Sequence, residues 1–304
     1  MTADDVATAD EVLRLAFGKA FGLSDPKTFM GEGSYVRPRF RASPQTALVA
    51  TQDDRVVGSI FATRWGSLAF GGPLSVHPDI WDRRVASSLV DTCMDIANNW
   101  NCSAQMAVTF PNSAKHIHLY GRYGLWPRFL SAIFSATPRP LATNVSRFAQ
   151  LSDAEQRSVL HDCRDITDAI WDGLDVTTEI LAINEQGIGD TVLLLDGDRV
   201  DGFACCHWGP NSEAETGVCH VKIGAARSGL RAKERLERLL DACESLAHGE
   251  SRARMTVGAN MARFETYQML LSRSYTIELL RVAVHKDNVA AYNRAGVFML
   301  DDLR

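Results

Sequence analysis

The chain has 304 residues, of which 46% are hydrophobic and 23% charged, a composition typical of globular proteins and not of disordered, collagen-like or coiled-coil chains. Its 32 Lys and Arg against 37 Asp and Glu give a formal net charge of -5, which excludes a general electrostatic attraction to nucleic acid or anionic membranes. No apolar run approaches the ~20 residues that span a bilayer, and the acidic N-terminus is unlike a signal peptide. We expect a cytoplasmic protein of two domains, with neither nucleic acid nor membrane as partner.

The cysteines indicate neither a disulfide framework nor a metal site. Seven are present, without CxxC pairs or the His and Cys spacing of metal ligands. Cys205 and Cys206 are adjacent in an apolar segment, as buried thiols often are. The pattern predicts reduced core thiols and no bound metal.

The first half begins with an amphipathic helix and continues as a β-hairpin. Its strands are predicted at Thr46–Thr51 and in the segment that ends at Trp65, and the polar turn between them contains Asp54. A further strand from Leu68 to Val76 leads into a helix that starts near Val85 and has the amphipathic period. This order of strands and helix predicts an α/β unit.

The second half repeats this unit. A hairpin is predicted with a strand at Thr191–Leu195, a turn at Asp198 and an end at Trp208. A strand at Gly217–Ile223 follows, and then an amphipathic helix that contains Leu236–Leu246. Two similar α/β domains in tandem are therefore predicted.

A segment between the two units has the composition of a linker. Residues Thr137–Asn144 contain two prolines and show no apolar periodicity. We therefore predict domains at residues 1–144 and 145–304.

The junction between the strand that ends at Val76 and the helix that starts at Val85 has the features of an anion site. At the start of a helix, unpaired backbone N–H groups and the positive end of the helix dipole converge. Arg83 and Arg84 add two permanent positive charges there. A βα turn with surface arginines is the alternative.

This junction also resembles a family signature. Val76, Pro78 and Ala86 match the V-x-P-x-x-[QR]-x-x-G-x-[GA] acyl-CoA-binding pattern of GNAT acetyltransferases, with Trp81 in place of Gln or Arg and Arg84 in place of Gly. The resemblance implies an α/β fold of two GNAT-like domains, each a mixed, mostly antiparallel sheet with flanking helices, and acetyl-CoA as cosubstrate. The residues that it implies as cofactor-binding in this loop are Leu74, Ser75, Val76, Trp81, Asp82, Arg83, Arg84, Val85 and Ala86.

The stretch from Phe110 to Leu125 resembles the second signature of that family, in which an Asn opens a helix and a Tyr follows two turns later. Here these residues are Asn112 and Tyr120. The spacing lets Asn112 cap the helix and leaves its amide for the pantetheine arm, while the phenol of Tyr120 is free to protonate a leaving thiolate. A simple N-cap and a half-buried core phenol are the alternatives. We expect Asn112 and Lys115 to bind the cofactor and Tyr120 to be the general acid.

The second half contains degenerate counterparts of both signatures. Arg227, Gly229 and Arg231 occupy the loop position without the proline, and Asn260 and Tyr267 occupy the second signature. The chain therefore resembles tandem GNAT proteins over nearly its whole length. Whether one or both domains bind acyl-CoA stays open.

A general base is needed to deprotonate the amine that attacks the thioester. The strand from Leu68 to Val76 has no carboxylate, and His77 is the nearest titratable residue, so His77 is the predicted catalytic base. His116 and His118 are alternatives, of which at most one faces the site because residues two apart point to different sides of a helix. The matching group in the second half comprises Glu213, Glu215 and His220.

These observations favour an acyltransferase, an acetyl-CoA-dependent N-acetyltransferase. It would acetylate a primary amine of a small molecule or peptide by direct attack, with catalysis in the first domain and the second domain shaping the acceptor pocket. One alternative is a non-catalytic protein that binds acyl-CoA or a metabolite. Another is catalysis in the second domain through Tyr267 and Glu215. The sequence determines neither the acceptor nor the oligomeric state.

Overall fold

The computed structural model describes residues 1–141 and 145–303, so the predicted linker lies partly outside the described residues. The predicted α/β fold is confirmed, because a mostly antiparallel sheet is flanked by helices. The helices are α1 (Val6–Ala20), α2 (Val36–Ala42), α3 (Val85–Asn99), α4 (Ala114–Gly121), α5 (Asp153–Ile170), α6 (Thr177–Gln186), α7 (Ala232–Gly249) and α8 (Phe264–Ser272). The strands are β1 (Ala47–Gln52), β2 (Arg55–Trp65), β3 (Leu68–Gly71), β4 (Ser75–Val76), β5 (Ala104–Thr109), β6 (Leu125–Ala136), β7 (Ser146–Arg147), β8 (Gly189–Asp196), β9 (Arg199–His207), β10 (Val218–Ala226), β11 (Arg254–Asn260), β12 (Thr276–Lys286) and β13 (Met299–Asp301).

Both predicted hairpins are present. β1 and β2 pair antiparallel around Asp53 and Asp54, whose φ angles of 49° and 59° are typical of a tight hairpin turn. β8 and β9 pair in the same way. The helices α3 and α7 bury the apolar stripes predicted for them, which include Leu89, Val90 and Cys93 in α3 and Leu236, Leu239, Leu240 and Cys243 in α7.

The predicted strand from Leu68 to Val76 is interrupted in its middle. β3 ends at Gly71, and β4 begins at Ser75 and pairs with β2. Pro73 has no N–H to donate to a ladder, and Gly72 has a φ of 139°, a conformation that favours glycine. Pairing between this segment and β5 therefore stops at Gly71.

Strands of the two halves alternate in the centre of the sheet, whose order is β1-β2-β3-β5-β12-β6-β11-β10-β9-β8-β7. β12, from the second half, lies between β5 and β6. β6, from the first half, lies between β12 and β11. Each half therefore completes the sheet of the other, and the two repeats share one sheet.

Each half contains a parallel strand pair that separates along its length. β3 pairs with β5 over Leu68–Gly71, and β10 pairs with β11 over Val218–Val221. In the second half the gap beyond the pair is filled by β13, which pairs antiparallel with Ile223–Ala225 of β10. In the first half the gap opens into a cavity.

Two groups of helices bury the sheet. Leu89 of α3 and Leu119 of α4 share one core with Ile60 of β2, whereas Ile166 of α5 and Ile180 of α6 belong to another. The cysteines are free thiols, and six of the seven are buried, as predicted for core residues. In the described ranges, no helix combines the length and the apolar character needed to cross a membrane.

Candidate functional site

The open cleft of the first half is a cavity of about 690 Å³, which is the size of a small-molecule site. Its walls are formed by the segment from β3 to β4, the loop before α3 with the start of that helix, and the segment from β5 through α4. Helices α1 and α2 complete them. Arg281 of β12 and Leu303 reach the cavity from the second half.

The N-terminus of α3 faces this cavity. Val85, Ala86 and Ser87 line it, and the N–H of Ser88 donates to the carbonyl of Arg84 at 3.1 Å. The backbone N–H groups before that of Ser88 have no carbonyl of a preceding helical turn to which they could donate. Together with the helix dipole they favour an anion at this end of the cavity.

Arg84 keeps the backbone conformation of the glycine that it replaces in the signature. Its φ of 64° lies in the left-handed region, which costs a residue with a Cβ roughly 1–2 kcal/mol. The side chain of Arg84 lines the cavity and adds positive charge beside α3. Lys115 also lines the cavity and forms a salt bridge with Asp82.

Trp81 anchors the loop that precedes α3. Its Nε1 donates to the carbonyl of Val76 at 2.7 Å, which ties the loop to the end of β4. Lys19 of α1 places its Nζ 5.2 Å from the centroid of the indole ring, a cation–π contact. Lys19 also lines the cavity. This cation was not predicted, because the amphipathic pattern of α1 does not indicate what its last turn faces.

Most of the predicted cofactor residues line the cavity, namely Leu74, Val76, Trp81, Asp82, Arg84, Val85, Ala86 and Lys115. Ser75, Arg83 and Asn112 are not part of its wall. Ser75 is buried, and its hydroxyl is 3.0 Å from that of Ser59. Arg83 and Asn112 are exposed.

The N-cap of α4 is Ser113, whose Oγ accepts the N–H of His116 at 3.4 Å. The prediction that Asn112 caps this helix is therefore wrong. Serine and asparagine cap helices about equally well, and the helix starts one residue later than the signature spacing suggested.

His116 and Tyr120 lie one turn apart on α4, and both line the cavity. Tyr120 is 6% exposed, and burial raises the pKa of its phenol, which therefore stays protonated at neutral pH. Burial lowers the pKa of His116, with a smaller effect from the Lys115 charge, so its imidazole is neutral at pH 7. Its Nδ1 is buried and has no hydrogen-bond partner among residues 1–141 and 145–303. The helix thus presents a proton acceptor and a proton donor to one cavity.

His77 lies outside the cavity wall. Its Nδ1 accepts the N–H of Asp79 at 3.3 Å, and its side chain is 32% exposed. His118 is exposed and lines the cavity. The structure therefore brings Tyr120 together with His116 and His118 and not with His77.

Another part of the wall is aromatic. Phe17, Phe29 and Phe110 line the cavity, and the ring centroid of Phe17 is 5.6 Å from that of Phe29 and 6.3 Å from that of Phe110. The guanidinium carbon of Arg281 lies 4.4 Å from the centroid of Phe110. These residues were not predicted to line the site, because they come from distant parts of the chain and share no motif.

A network of buried charges joins this wall to the second half. Arg39 lines the cavity, donates to the carbonyl of Gly72 at 2.6 Å and binds both carboxylate oxygens of Glu213 at 2.7 and 2.8 Å. Lys222 donates to Glu213 at 3.0 Å and to Glu179 at 2.9 Å. Burial alone would raise the pKa of Glu213, but the charges of Arg39 and Lys222 hold it well below its usual range. Glu213 is therefore a counter-ion and a weak base.

The corresponding cleft of the second half is filled by the chain itself. β13 lies in it, and a Cβ at Gly258 of β11 would come within 1.7 Å of the carbonyl oxygen of Asp301. The carboxylate of Asp301 accepts hydrogen bonds from Arg263 and, at 2.9 Å, from the hydroxyl of Tyr292. A ligand could enter this cleft only by displacing β13.

The cations of the second loop are paired with carboxylates. Arg227 lies 3.3 Å from Asp162, and Arg231 lies 2.9 Å from Glu234. Their charge is therefore partly neutralised within the protein. In the first half, by contrast, Arg84 and Lys19 line the open cavity, whereas Arg83 lies outside its wall.

Comparison with known proteins agrees with this fold. Residues 13–125 match the Acetyltransferase (GNAT) family. Among solved structures, the chain is similar to a putative acetyltransferase from Pyrococcus horikoshii at 12% identity, covering 100% of this chain and 93% of that one with a TM-score of 0.69. It is also similar to a GCN5-related N-acetyltransferase from Sphaerobacter thermophilus (12% identity, 92% of each chain, TM-score 0.57) and to a tandem GNAT protein from the clavulanic acid biosynthesis pathway (10% identity, 94% and 95% of the two chains, TM-score 0.55). No curated protein matches. The predicted resemblance to tandem GNAT proteins is confirmed at the level of the fold.

Proposed function

We propose that this chain, with its GNAT domain at residues 13–125, is an N-acetyltransferase that uses acetyl-CoA to acetylate a primary amine in the cavity of the first half. One observation carries the proposal. The cleft between β4 and β5 is open, and its walls combine the N-terminus of α3, a cluster of cations and the phenol of Tyr120.

The residues of this cavity suit the charge of acetyl-CoA. The N–H groups of Val85, Ala86 and Ser87 would hold the pyrophosphate, as unpaired amides at a helix N-terminus bind anions. Arg84 and Lys19 would add two positive charges. The left-handed backbone at Arg84 supports this reading, because it retains the turn that the glycine of the signature provides.

Acetyl transfer requires two proton movements, and α4 supplies a group for each. The lone pair of the amine attacks the thioester carbonyl carbon, the C–S bond breaks, and the acetyl group becomes an amide. His116 would accept the proton that the amine loses, since its imidazole is neutral at pH 7. Tyr120 would donate its phenol proton to the departing thiolate. His77, the base expected from the sequence, lies outside the cavity wall, so we assign its role to His116.

We infer that the second half does not bind acyl-CoA. β13 occupies the cleft that would receive it, and Arg227 and Arg231 are paired with carboxylates. The second half would instead support the acceptor side of the first cavity through Arg281 and Leu303.

The location of the cofactor is tested by one substitution and a matched control. Ala86 is the second residue of α3 and Lys233 the second residue of α7. Ala86→Glu should weaken acetyl-CoA binding by about tenfold or more, because the carboxylate opposes the phosphates where the ligand must approach. Lys233→Glu should leave the dissociation constant unchanged. Isothermal titration calorimetry measures both, and weakening by the Lys233 variant alone would contradict the assignment to the first half.

The role of His116 predicts a pH dependence. A base with a lowered pKa stays neutral as the pH falls through 6.5, the ordinary histidine value, and is lost only below its own pKa. The kcat/KM of the acetyl transfer should therefore hold through pH 6.5 and fall only at lower pH, after correction for ionisation of the free amine. His116→Gln should remove this fall in kcat/KM at low pH and lower kcat/KM at pH 7.5 about 100-fold, the lower end for the loss of a general base. His77→Gln is the control and should still show the fall of kcat/KM at low pH. If that fall were lost in the His77 variant, His77 would be the base, as predicted from the sequence.

A further inference from the structure

An aromatic part of the cavity wall has no role in the proton transfers or in holding the cofactor. Phe17 of α1, Phe29 of the segment after that helix and Phe110 at the end of β5 line the cavity. Each of these side chains is half-buried. None of them belongs to the loop before α3 or to the first turn of that helix, so they form a part of the cavity separate from the anion site.

The rings are held in position by one another. Phe29 stacks on Phe17 and on Phe21, with ring centroids 5.6 and 5.7 Å apart. Phe110 lies 6.3 Å from Phe17 and 5.5 Å from Phe21, and its contact with Phe21 is edge to face at an interplanar angle of 75°. Phe21 is 39% exposed but does not line the cavity. The three lining rings therefore form a preorganised apolar surface.

This surface begins beside the proposed base. The ring centroid of Phe110 lies 6.3 Å from that of His116, and Phe17 is the next ring of the cluster. An amine that gives its proton to His116 therefore has the rest of its molecule close to Phe110. A ring or chain a few bonds from the nitrogen is then placed against the aromatic surface.

The chemistry of the surface favours an apolar body on the acceptor. A phenylalanine side chain has no hydrogen-bond donor or acceptor. An aromatic or aliphatic group gains free energy when it leaves water for such a surface. A polar group at the same place would lose its hydration without a replacement.

The acidic residues near the cavity favour an acceptor with a single amine. Within residues 1–141 and 145–303, Asp82 is the only acidic residue of the wall, and it forms a salt bridge with Lys115. Glu213 lies outside the wall and binds Arg39 and Lys222. A second ammonium group would therefore lose hydration without a free carboxylate to compensate. The reacting amine needs none, since it is neutral when it attacks.

We propose that the acceptor is a primary monoamine with an aromatic or bulky apolar body, which packs on the surface formed by Phe17, Phe29 and Phe110 while the nitrogen reaches His116. The nitrogen loses one proton to His116 and becomes the amide nitrogen, and CoA leaves as the thiol. This proposal rests on the acetyltransferase function proposed above. It names the substrate class of the same site.

The test compares two matched pairs of acceptors with acetyl-CoA as the donor. Phenethylamine and ethylamine differ by the ring, and n-butylamine and putrescine differ by the second amine. Thiol release gives kcat/KM for each, corrected for the fraction of free amine. Phenethylamine should exceed ethylamine at least tenfold, and n-butylamine should exceed putrescine at least tenfold. Equal values within either pair would overturn the proposal without the use of any variant.

Phe17→Ala and Phe21→Ala are the matched variants. Both residues contact Phe29 and Phe110, but Phe17 lines the cavity and Phe21 does not. Phe17→Ala should lower kcat/KM for phenethylamine at least tenfold and leave both kcat/KM for ethylamine and the KM for acetyl-CoA within twofold. Phe21→Ala should leave all three within twofold. Equal effects of the two substitutions on phenethylamine, or a rise in the KM for acetyl-CoA with Phe17→Ala, would contradict the assignment of this surface to the acceptor.

The acceptor class and the proposed function fail in different ways. If acetyl-CoA binds but phenethylamine is not acetylated, the acceptor class is wrong and the assignment of the cofactor site stands. If acetyl-CoA does not bind, the proposed function itself is wrong. Isothermal titration calorimetry with acetyl-CoA alone separates the two cases.

Discussion

Tyr120→Phe is expected to lower the turnover number about 100-fold, the lower end for the loss of a general acid. The substitution removes the hydroxyl and keeps the ring, which is 6% exposed and belongs to the core between β2, α3 and α4. The free energy of unfolding and the affinity for acetyl-CoA should therefore change little. Stopped-flow measurement of thiol release, with saturating amine, separates turnover from binding.

Tyr267→Phe is the matched control for Tyr120. Tyr267 is the counterpart in the second half, where its ring packs 5.5 Å from that of Phe134 and β13 fills the adjacent cleft. Its loss should leave turnover within twofold of the unchanged protein. If Tyr267→Phe were inactive and Tyr120→Phe fully active, catalysis would belong to the second half.

Glu213→Gln is expected to reduce the free energy of unfolding by about 3–5 kcal/mol, because it removes the charge of the carboxylate that binds two buried cations, Arg39 and Lys222. The side chains of Arg39 and Glu213 are 5% and 1% exposed, and Lys222 lies 3.0 Å from the same carboxylate. After the substitution, Glu179 would be the remaining carboxylate bonded to Lys222. Urea unfolding followed by circular dichroism measures the change.

Glu215→Gln provides the comparison for this network. Glu215 is two residues away, its side chain is 39% exposed, and it pairs with Arg254 at 2.9 Å. An exposed pair of this kind contributes about 0–1 kcal/mol. Equal destabilisation by the two substitutions would contradict a special contribution of the buried network.

The local parts of this fold were predictable from the sequence. The turn at Asp53 and Asp54, the amphipathic stripe of α3 and the start of that helix at Val85 depend on neighbouring residues, so the pattern contains the information. The break at Pro73 is also local, and the absence of an N–H on that residue could have indicated it. The N-cap of α4 is Ser113 and not the predicted Asn112, so the motif spacing located the start of this helix to within one residue.

The site depended on contacts that no local pattern contains. Arg281 reaches the first cavity only because β12 pairs with β5, and Lys19 does so only because α1 packs beside Trp81. Glu213 was predicted only as one of the titratable residues of the second half, and its burial between Arg39 and Lys222 requires the assembled halves. The filling of the second cleft by β13 is equally non-local, since it joins Ile223–Ala225 to Met299–Asp301. Such pairings are set by the whole topology.

The position of β12 also determines when the central sheet can be completed during synthesis. β5 and β6 are made early, but the strand that separates them in the sheet is more than half a chain length later than β5. While the ribosome adds the intervening residues, both strands present unpaired edges, which invite wrong pairing and aggregation. The cavity also lacks Arg281 throughout this interval. A nascent chain that stops before residue 276 would therefore contain both signature segments of the first half but lack β12, so neither the central sheet nor the wall of the cavity would be complete.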